Sequence, residues 1–119
     1  MRNFRELQIW KEAMEVVDLV FMLIEKFPKS ELYGLSSQLS RSSISMPSNI
    51  AEGCSRSSEK DFKRYLEISI GSSFEAETQV EIACRRKYIS VLERDEVIGK
   101  LHLFQKKTNR FIQALKSRI

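Results

Sequence analysis

Residues 31–57 read Glu31-Leu-Tyr-Gly-Leu-Ser-Ser-Gln-Leu-Ser-Arg-Ser-Ser-Ile-Ser-Met-Pro-Ser-Asn-Ile-Ala-Glu-Gly-Cys-Ser-Arg-Ser57, and the period of this stretch is helical. With side chains turning about 100° per residue, Leu35, Leu39, Ser43, Met46, Ile50 and Cys54 share one face at the spacing of a buried seam. Gln38, Arg41, Ser45, Asn49, Glu52 and Arg56 share the adjoining face. Such a polar row fits a partner-binding strip, a solvated helix surface, or a hydrogen-bonded network at an interface. Arg41 and Glu52 lie about three turns apart, so any ion pair they make is with another helix or subunit. Pro47 removes one backbone donor and presses on the Ser43 carbonyl, so the expectation is one helix kinked at Pro47, with a serine hydroxyl or water meeting the freed carbonyl.

Working outward, three more segments are periodic. The first carries Leu7, Trp10, Met14, Val17, Phe21 and Ile24 in alternating steps of three and four, with Asn3 and Glu6 as a capping box and Phe27-Pro28 as its stop. The third opens at Ser57 or Ser58, with Asp61 placed to close a box. Its seam runs Phe62, Leu66, Ser69, Ser73, Ala76, Val80, Ala83, small in the middle, so that its axis can approach the second helix closely. The fourth opens on the capping box Ser90-Val91-Leu92-Glu93 and continues as Val97, Leu101, Phe104, Thr108, Phe111, Leu115. No strand pattern competes. Connections of roughly three to ten residues favour antiparallel neighbours, which predicts an all-α, up-down-up-down antiparallel four-helix bundle spanning 1–119 as a single domain.

Bulk composition agrees. The 119 residues are 42% hydrophobic and 30% charged, with four glycines and two prolines, as suits a helix-rich globular chain. Cys54 and Cys84 lie in helical patterns without metal-ligand spacing and read as small core residues of a reducing compartment. The N-terminus lacks a secretory pattern, and Leu19–Ile24, the longest apolar run, is far below the ~18 residues of a membrane span. A cytoplasmic protein with no membrane partner is expected. Apolar residues off the seams, Ile9, Val16, Leu23, Ile44, Ile70, Phe74, Ile89 and Leu103, exceed what one stripe per helix needs. They point to self-association, the alternative being wide stripes around a thick core.

Net charge is +4 and the isoelectric point near 9.2, a mild bias toward a polyanionic partner. The bases concentrate late. Lys100, Lys106, Lys107, Arg110, Lys116 and Arg118 follow one another without an acid, and Arg85-Arg86-Lys87 ends the third helix beside Tyr88. Candidate nucleic-acid contacts are therefore Arg85, Arg86, Lys87, Lys100, Lys106, Lys107 and Arg110, acting on phosphates without base readout. Bases at a helix C-terminus also answer its dipole. Catalytic, cofactor and metal motifs are absent from the pattern: His102 has no acid one turn away, the serines lack a paired base, and the glycines are isolated. The expectation is a protein that is not an enzyme and takes no cofactor.

The runs Glu31-Leu32-Tyr33-Gly34-Leu35, Gln38-Leu39-Ser40-Arg41 and Ser45-Met46-Pro47-Ser48-Asn49-Ile50-Ala51-Glu52-Gly53, with Gly71-Ser72 and Glu75, and Leu7, Trp10 and Ala13 near the start, resemble the 23S rRNA intervening-sequence proteins over essentially the whole chain. The resemblance implies small bacterial four-helix bundles that tend to form ring-like homopentamers. A related branch, the accessory variability protein of diversity-generating retroelements, is a basic pentamer that associates with a reverse transcriptase and with nucleic acid. Arg41, Ser45, Asn49, Glu52 and Gly53 match the family motif; Arg86-Lys87 departs from it, where relatives commonly place a helix-ending glycine. The function expected is a non-enzymatic oligomer associated with RNA or DNA, as a structured-RNA binder or an accessory scaffold. The rival is a protein-interaction module without a nucleic-acid role.

Overall fold

The computed structural model describes residues 2–119. Two 3-10 turns, Phe4–Glu6 and Lys29–Glu31, accompany four helices: α1 Gln8–Ile24, α2 Leu35–Cys54, α3 Glu59–Arg85 and α4 Val91–Lys116, with no strand among the described residues. Each helix packs on two neighbours, α1 on α2 and α4, α3 on α2 and α4, while the diagonal pairs do not meet. This is the up-down-up-down bundle, 46 Å along its axis and 24 by 20 Å across.

The caps set the helix starts. Ser58 accepts from the Asp61 N–H at 3.1 Å, and Ser90 and Glu93 form the reciprocal box, at 3.1 and 2.8 Å, that satisfies otherwise orphaned donors. Asn3 behaves differently from expectation. Its side chain accepts from Arg5 N–H at 3.1 Å and caps the Phe4–Glu6 turn, and α1 begins only after Leu7, which is extended at φ −75°, ψ 128°. The helix also stops short of Phe27-Pro28, so it is 17 residues long rather than the ~23 that the pattern suggested.

The core seams of α2 and α3 are those of the sequence pattern, and α4 needs one exchange: Ile112 is buried where Phe111 is half-buried, edge-on to Phe62 at 5.5 Å. In α1 the pattern is off by one residue. Ile9, Ala13, Val16, Val20 and Leu23 face the core, and the bulkier stripe one residue later, about 100° round the helix, turns to the flank. Met14 is 36% and Phe21 47% exposed. Of the residues set aside as surplus, Ile9, Val16, Leu23 and Ile89 are therefore core, whereas Ile44, Phe74 and Leu103 remain exposed.

Helices α2 and α3 make the closest pair. Gly53 is the reason at one end: a Cβ there would stand 2.9 Å from Tyr65 Cβ and 3.0 Å from a Phe62 ring carbon. Further along, hydroxyls cross the seam. Ser42 donates to Gln79 at 2.6 Å, Ser45 and Ser72 pair at 2.8 Å, and Ser69 donates to the Met46 carbonyl at 2.8 Å. Buried hydroxyls must find partners, and the small side chains bring the two helices near enough for each to find one. Helix α2 runs uninterrupted through Pro47. The Ser43 hydroxyl goes to the Ser40 carbonyl at 3.0 Å and the Ser42 hydroxyl to Gln79 and Leu39, so neither meets the Ser43 carbonyl as the sequence suggested.

Candidate functional site

The family-motif run of α2 distributes its residues over three directions, and the helical period does the sorting. Met46 and Ile50 enter the core, Gly53 admits α3, and Pro47 and Ala51 turn toward α1. Ser45, Asn49 and Glu52 turn to the α3 edge with Gln38 and Arg41. There Asn49 Nδ2 donates to both the carbonyl and the hydroxyl of Ser45, each at 2.8 Å, and that hydroxyl meets Ser72. This part of the row is a hydrogen-bonded chain joining α2 to α3. Glu52 has only local partners, Ser55 and Arg56. Gln38, Arg41, Ser42, Ser45, Glu75 and Gln79 line an open polar groove of about 360 Å³, and Arg41 makes no ion pair among the described residues.

The basic candidates divide. Lys107 reaches Glu12 of α1 at 2.6 Å and Lys100 reaches Glu15 at 3.1 Å. The Lys107 pair is part-buried against the bundle wall, and the Lys100 pair lies exposed on its surface. Glu12 is only 7% exposed, and its second carboxylate oxygen has no partner, so Lys107 carries the whole compensation of a buried charge. Lys106 and Arg110 are exposed one turn apart on α4 and unpaired among the described residues. Arg85, Arg86 and Lys87 are exposed at the far end of α3 and likewise unpaired. By helical rise Lys106 and Arg110 lie roughly 20 to 30 Å away from that cluster, so the seven residues do not form one patch.

The turn after α3 has a defined geometry. Tyr88 N–H bonds the Ala83 carbonyl at 3.0 Å and Lys87 N–H the Cys84 carbonyl at 2.9 Å, the return bonds of a helix ending in a left-handed residue. That residue is Lys87, at φ 64°, the position glycine takes at least cost. Tyr88 then reaches across the bundle end. Its hydroxyl donates to Glu31 Oε2 at 2.8 Å, while Glu31 Oε1 accepts the Leu35 N–H at 3.0 Å and so caps α2. The Leu35 amide first, and Tyr88 next, hold the Glu31 carboxyl below its usual range; the same Glu31 bond pushes the Tyr88 hydroxyl up. Lys26 pairs with Glu93 beside this clasp.

Two grooves, one apolar and one of mixed lining, lie on opposite faces. One of about 290 Å³ runs between α1 and α2, lined by Trp10, Met14, Val17, Ile44, Pro47 and Ala51. The other, about 590 Å³, runs between α3 and α4 and joins Phe74 and Ile82 to Glu77, Glu81, Arg85 and His102. In it His102 Nε2 and Gln105 each sit 3.0 Å from the Glu77 carboxylate. Burial raises the Glu77 pKa, but the bonds from Gln105 and His102 outweigh it and leave it below the usual value. The acid that His102 lacks along its own helix comes from α3, a pairing between helices that no spacing in the sequence reveals.

Among the described residues no group of three or more His, Cys, Asp or Glu could hold a metal ion, and no helix is long and apolar enough to cross a membrane. The model of the 23S rRNA-intervening sequence protein family matches residues 5–110. Among solved structures, the chain is similar to a protein of unknown function of the S23 ribosomal protein family from Bacteroides thetaiotaomicron VPI-5482. The two superpose with a TM-score of 0.81 at 22% identity, over 87% of this chain and 97% of that one, a likeness of fold. No curated protein matches the chain.

Proposed function

The chain belongs to the 23S rRNA-intervening sequence protein family, and from that premise we propose that it acts as a non-enzymatic, cytoplasmic, ring-forming homo-oligomer that associates with nucleic acid, as a binder of structured RNA or an accessory scaffold. One observation carries the nucleic-acid part. Arg85, Arg86 and Lys87 form a contiguous, exposed run of bases without ion pairs among the described residues, whereas Lys100 and Lys107 are neutralised by α1. Free bases in a run can displace counterions from successive phosphates. By analogy with the related retroelement branch, a reverse transcriptase is a candidate protein partner.

The two grooves support the assembly. Their linings differ and they face opposite ways, so docking one against the other is a head-to-tail contact, the kind that closes into a ring when the rotation fits. Light scattering behind size exclusion is expected to give about five times 13.9 kDa, and a monomer at micromolar concentration removes the ring.

Filter binding with RNA and DNA tests the partner. Affinity is expected to fall steeply with salt and to show little sequence preference, and joint replacement of Arg85, Arg86 and Lys87 by Ser to weaken binding and flatten the salt slope, about one unit per lost contact. No retention of either nucleic acid at low salt ends this reading in favour of a protein-interaction module.

A further inference from the structure

The bundle end that holds the α1–α2 and α3–α4 connections gathers features that neither connection has alone. Tyr33 is 93% exposed and Leu92 81% exposed, the first in the α1–α2 connection, the second in the opening turn of α4. Lys29 shares the α1–α2 connection with Tyr33, and Arg85, Arg86 and Lys87 run from the end of α3 into the connection that precedes Leu92. The Glu31 carboxylate stitches the two connections together: it bonds the Leu35 amide, two residues past Tyr33, and the Tyr88 hydroxyl, two residues past Arg86. The ring of Phe27 closes on Tyr88 at 5.5 Å. Of the acids nearby, Glu31 is committed to that clasp, Glu93 to Lys26, and Glu81 and Asp95 to Arg94, which leaves Glu25 and Glu96 without an ion pair among the described residues.

We propose that this loop end is a platform for unpaired nucleotides, with a base stacked on Tyr33 and backbone phosphates held by Lys29, Arg85, Arg86 and Lys87. The proposal rests on the nucleic-acid reading above and adds where the strand lies and in what state. An aromatic ring with both faces in water offers a base a stacking surface, and stacking accepts any base. Bases inside a duplex are already stacked and cannot use it, so the platform selects single strands and the loops and bulges of folded RNA. The backbone supports the assignment. Lys87 occupies a left-handed conformation at φ 64° where glycine would be unstrained, and strain of this kind collects at functional sites; here it keeps a third base in the turn.

Fluorescence anisotropy tests the platform with an unstructured RNA of about 16 nucleotides, the DNA of the same sequence, and the annealed duplex. Tyr33→Ala is expected to weaken single-strand binding about 5- to 150-fold, leaving duplex affinity, salt slope and melting temperature unchanged. Tyr33→Phe keeps the affinity. The triple change of Arg85, Arg86 and Lys87 to Ser weakens every arm and lowers the single-strand salt slope by about two units. The RNA and DNA arms show which sugar is taken. If the wild-type protein binds nucleic acid and Tyr33→Ala binds single strands as tightly as wild type, the platform is overturned while the broader reading stands. If the wild-type protein binds no nucleic acid but sediments with phosphatidylserine vesicles in a Tyr33-dependent way, both give way to a lipid-surface role.

Discussion

The Tyr88 hydroxyl donates to Glu31 Oε2 at 2.8 Å, and through this bond the residue that follows the basic turn is fixed to the residue that caps α2. The sign of its pH dependence follows from the two shifts. Glu31 ionises below its ordinary 4.5 in the fold, so its contribution is present above about pH 4.5 and is lost as pH falls through the lower folded value. Tyr88 ionises above its ordinary 10.0, because the hydrogen bond to Glu31 holds its proton and losing it would set two anions face to face. Its contribution is present below about pH 10 and is lost as pH rises through the higher folded value.

Urea denaturation across pH checks this. Tyr88→Phe is expected to lower the urea midpoint at neutral pH, through the loss of one hydrogen bond to a charged partner. Glu31→Gln is expected to flatten the acid side of the stability curve as well. A Glu31→Gln curve that runs parallel to wild type down to pH 3 would show that the clasp contributes nothing.

Glycine substitutions separate packing from propensity. At Gly53 a Cβ would meet α3 at 2.9 to 3.0 Å, and its neighbours are ring and Cβ atoms that cannot swing away. Gly53→Ala is expected to destabilise by about 1 to 3 kcal/mol. At Gly71 and Gly99 a Cβ meets nothing within 4 Å, so alanine there stabilises by about 0.5 to 1 kcal/mol through helix propensity alone. Calorimetry on the three variants should give opposite signs; equal shifts would mean that α2 and α3 are not held as close as the fold requires.

Helix count, the caps of α3 and α4 and the α2 and α3 seams were legible because one period satisfied one neighbour. In α1 two apolar stripes one residue apart are equally periodic, and what chooses between them is α4: Glu12 must turn to Lys107, which brings Ala13 and Val16 inward and leaves Trp10 and Met14 on the flank. That choice is made between helices and is not written in α1. The polar row was legible as a row, yet its division into a Ser45–Asn49 chain bonded to α3 and an unpaired Arg41 depended on where Ser72 and Gln79 fall. The basic candidates were legible as a count, and only the fold separates the bases that α1 neutralises from those left at the bundle end.

The Lys87 turn offers a trade between stability and binding. Removing the β-carbon from a residue at φ 64° relieves about 1 kcal/mol of backbone strain, offset partly by the greater freedom of glycine in the unfolded chain. Lys87→Gly is expected to raise the urea midpoint while weakening RNA binding and lowering the salt slope by about one unit. A variant that gains stability and keeps wild-type binding removes Lys87 from the phosphate contacts.

The grooves permit a test that distinguishes a head-to-tail ring from a twofold dimer. Ile44 sits in the α1–α2 groove and is 43% exposed, and Phe74 in the α3–α4 groove is 57% exposed, so a carboxylate at either site stays hydrated in the free protein and is buried only on docking. Ile44→Glu and Phe74→Glu are each expected to fold and to run as monomers. Mixed together, they retain one good pair of faces, the α3–α4 groove of the first against the α1–α2 groove of the second. That pair can form once and cannot propagate, because the outer faces of the heterodimer are both spoiled. The mixture is therefore expected at about twice 13.9 kDa. In a twofold contact each groove would meet its own copy, one variant alone would still dimerise through its intact face, and mixing would create nothing new.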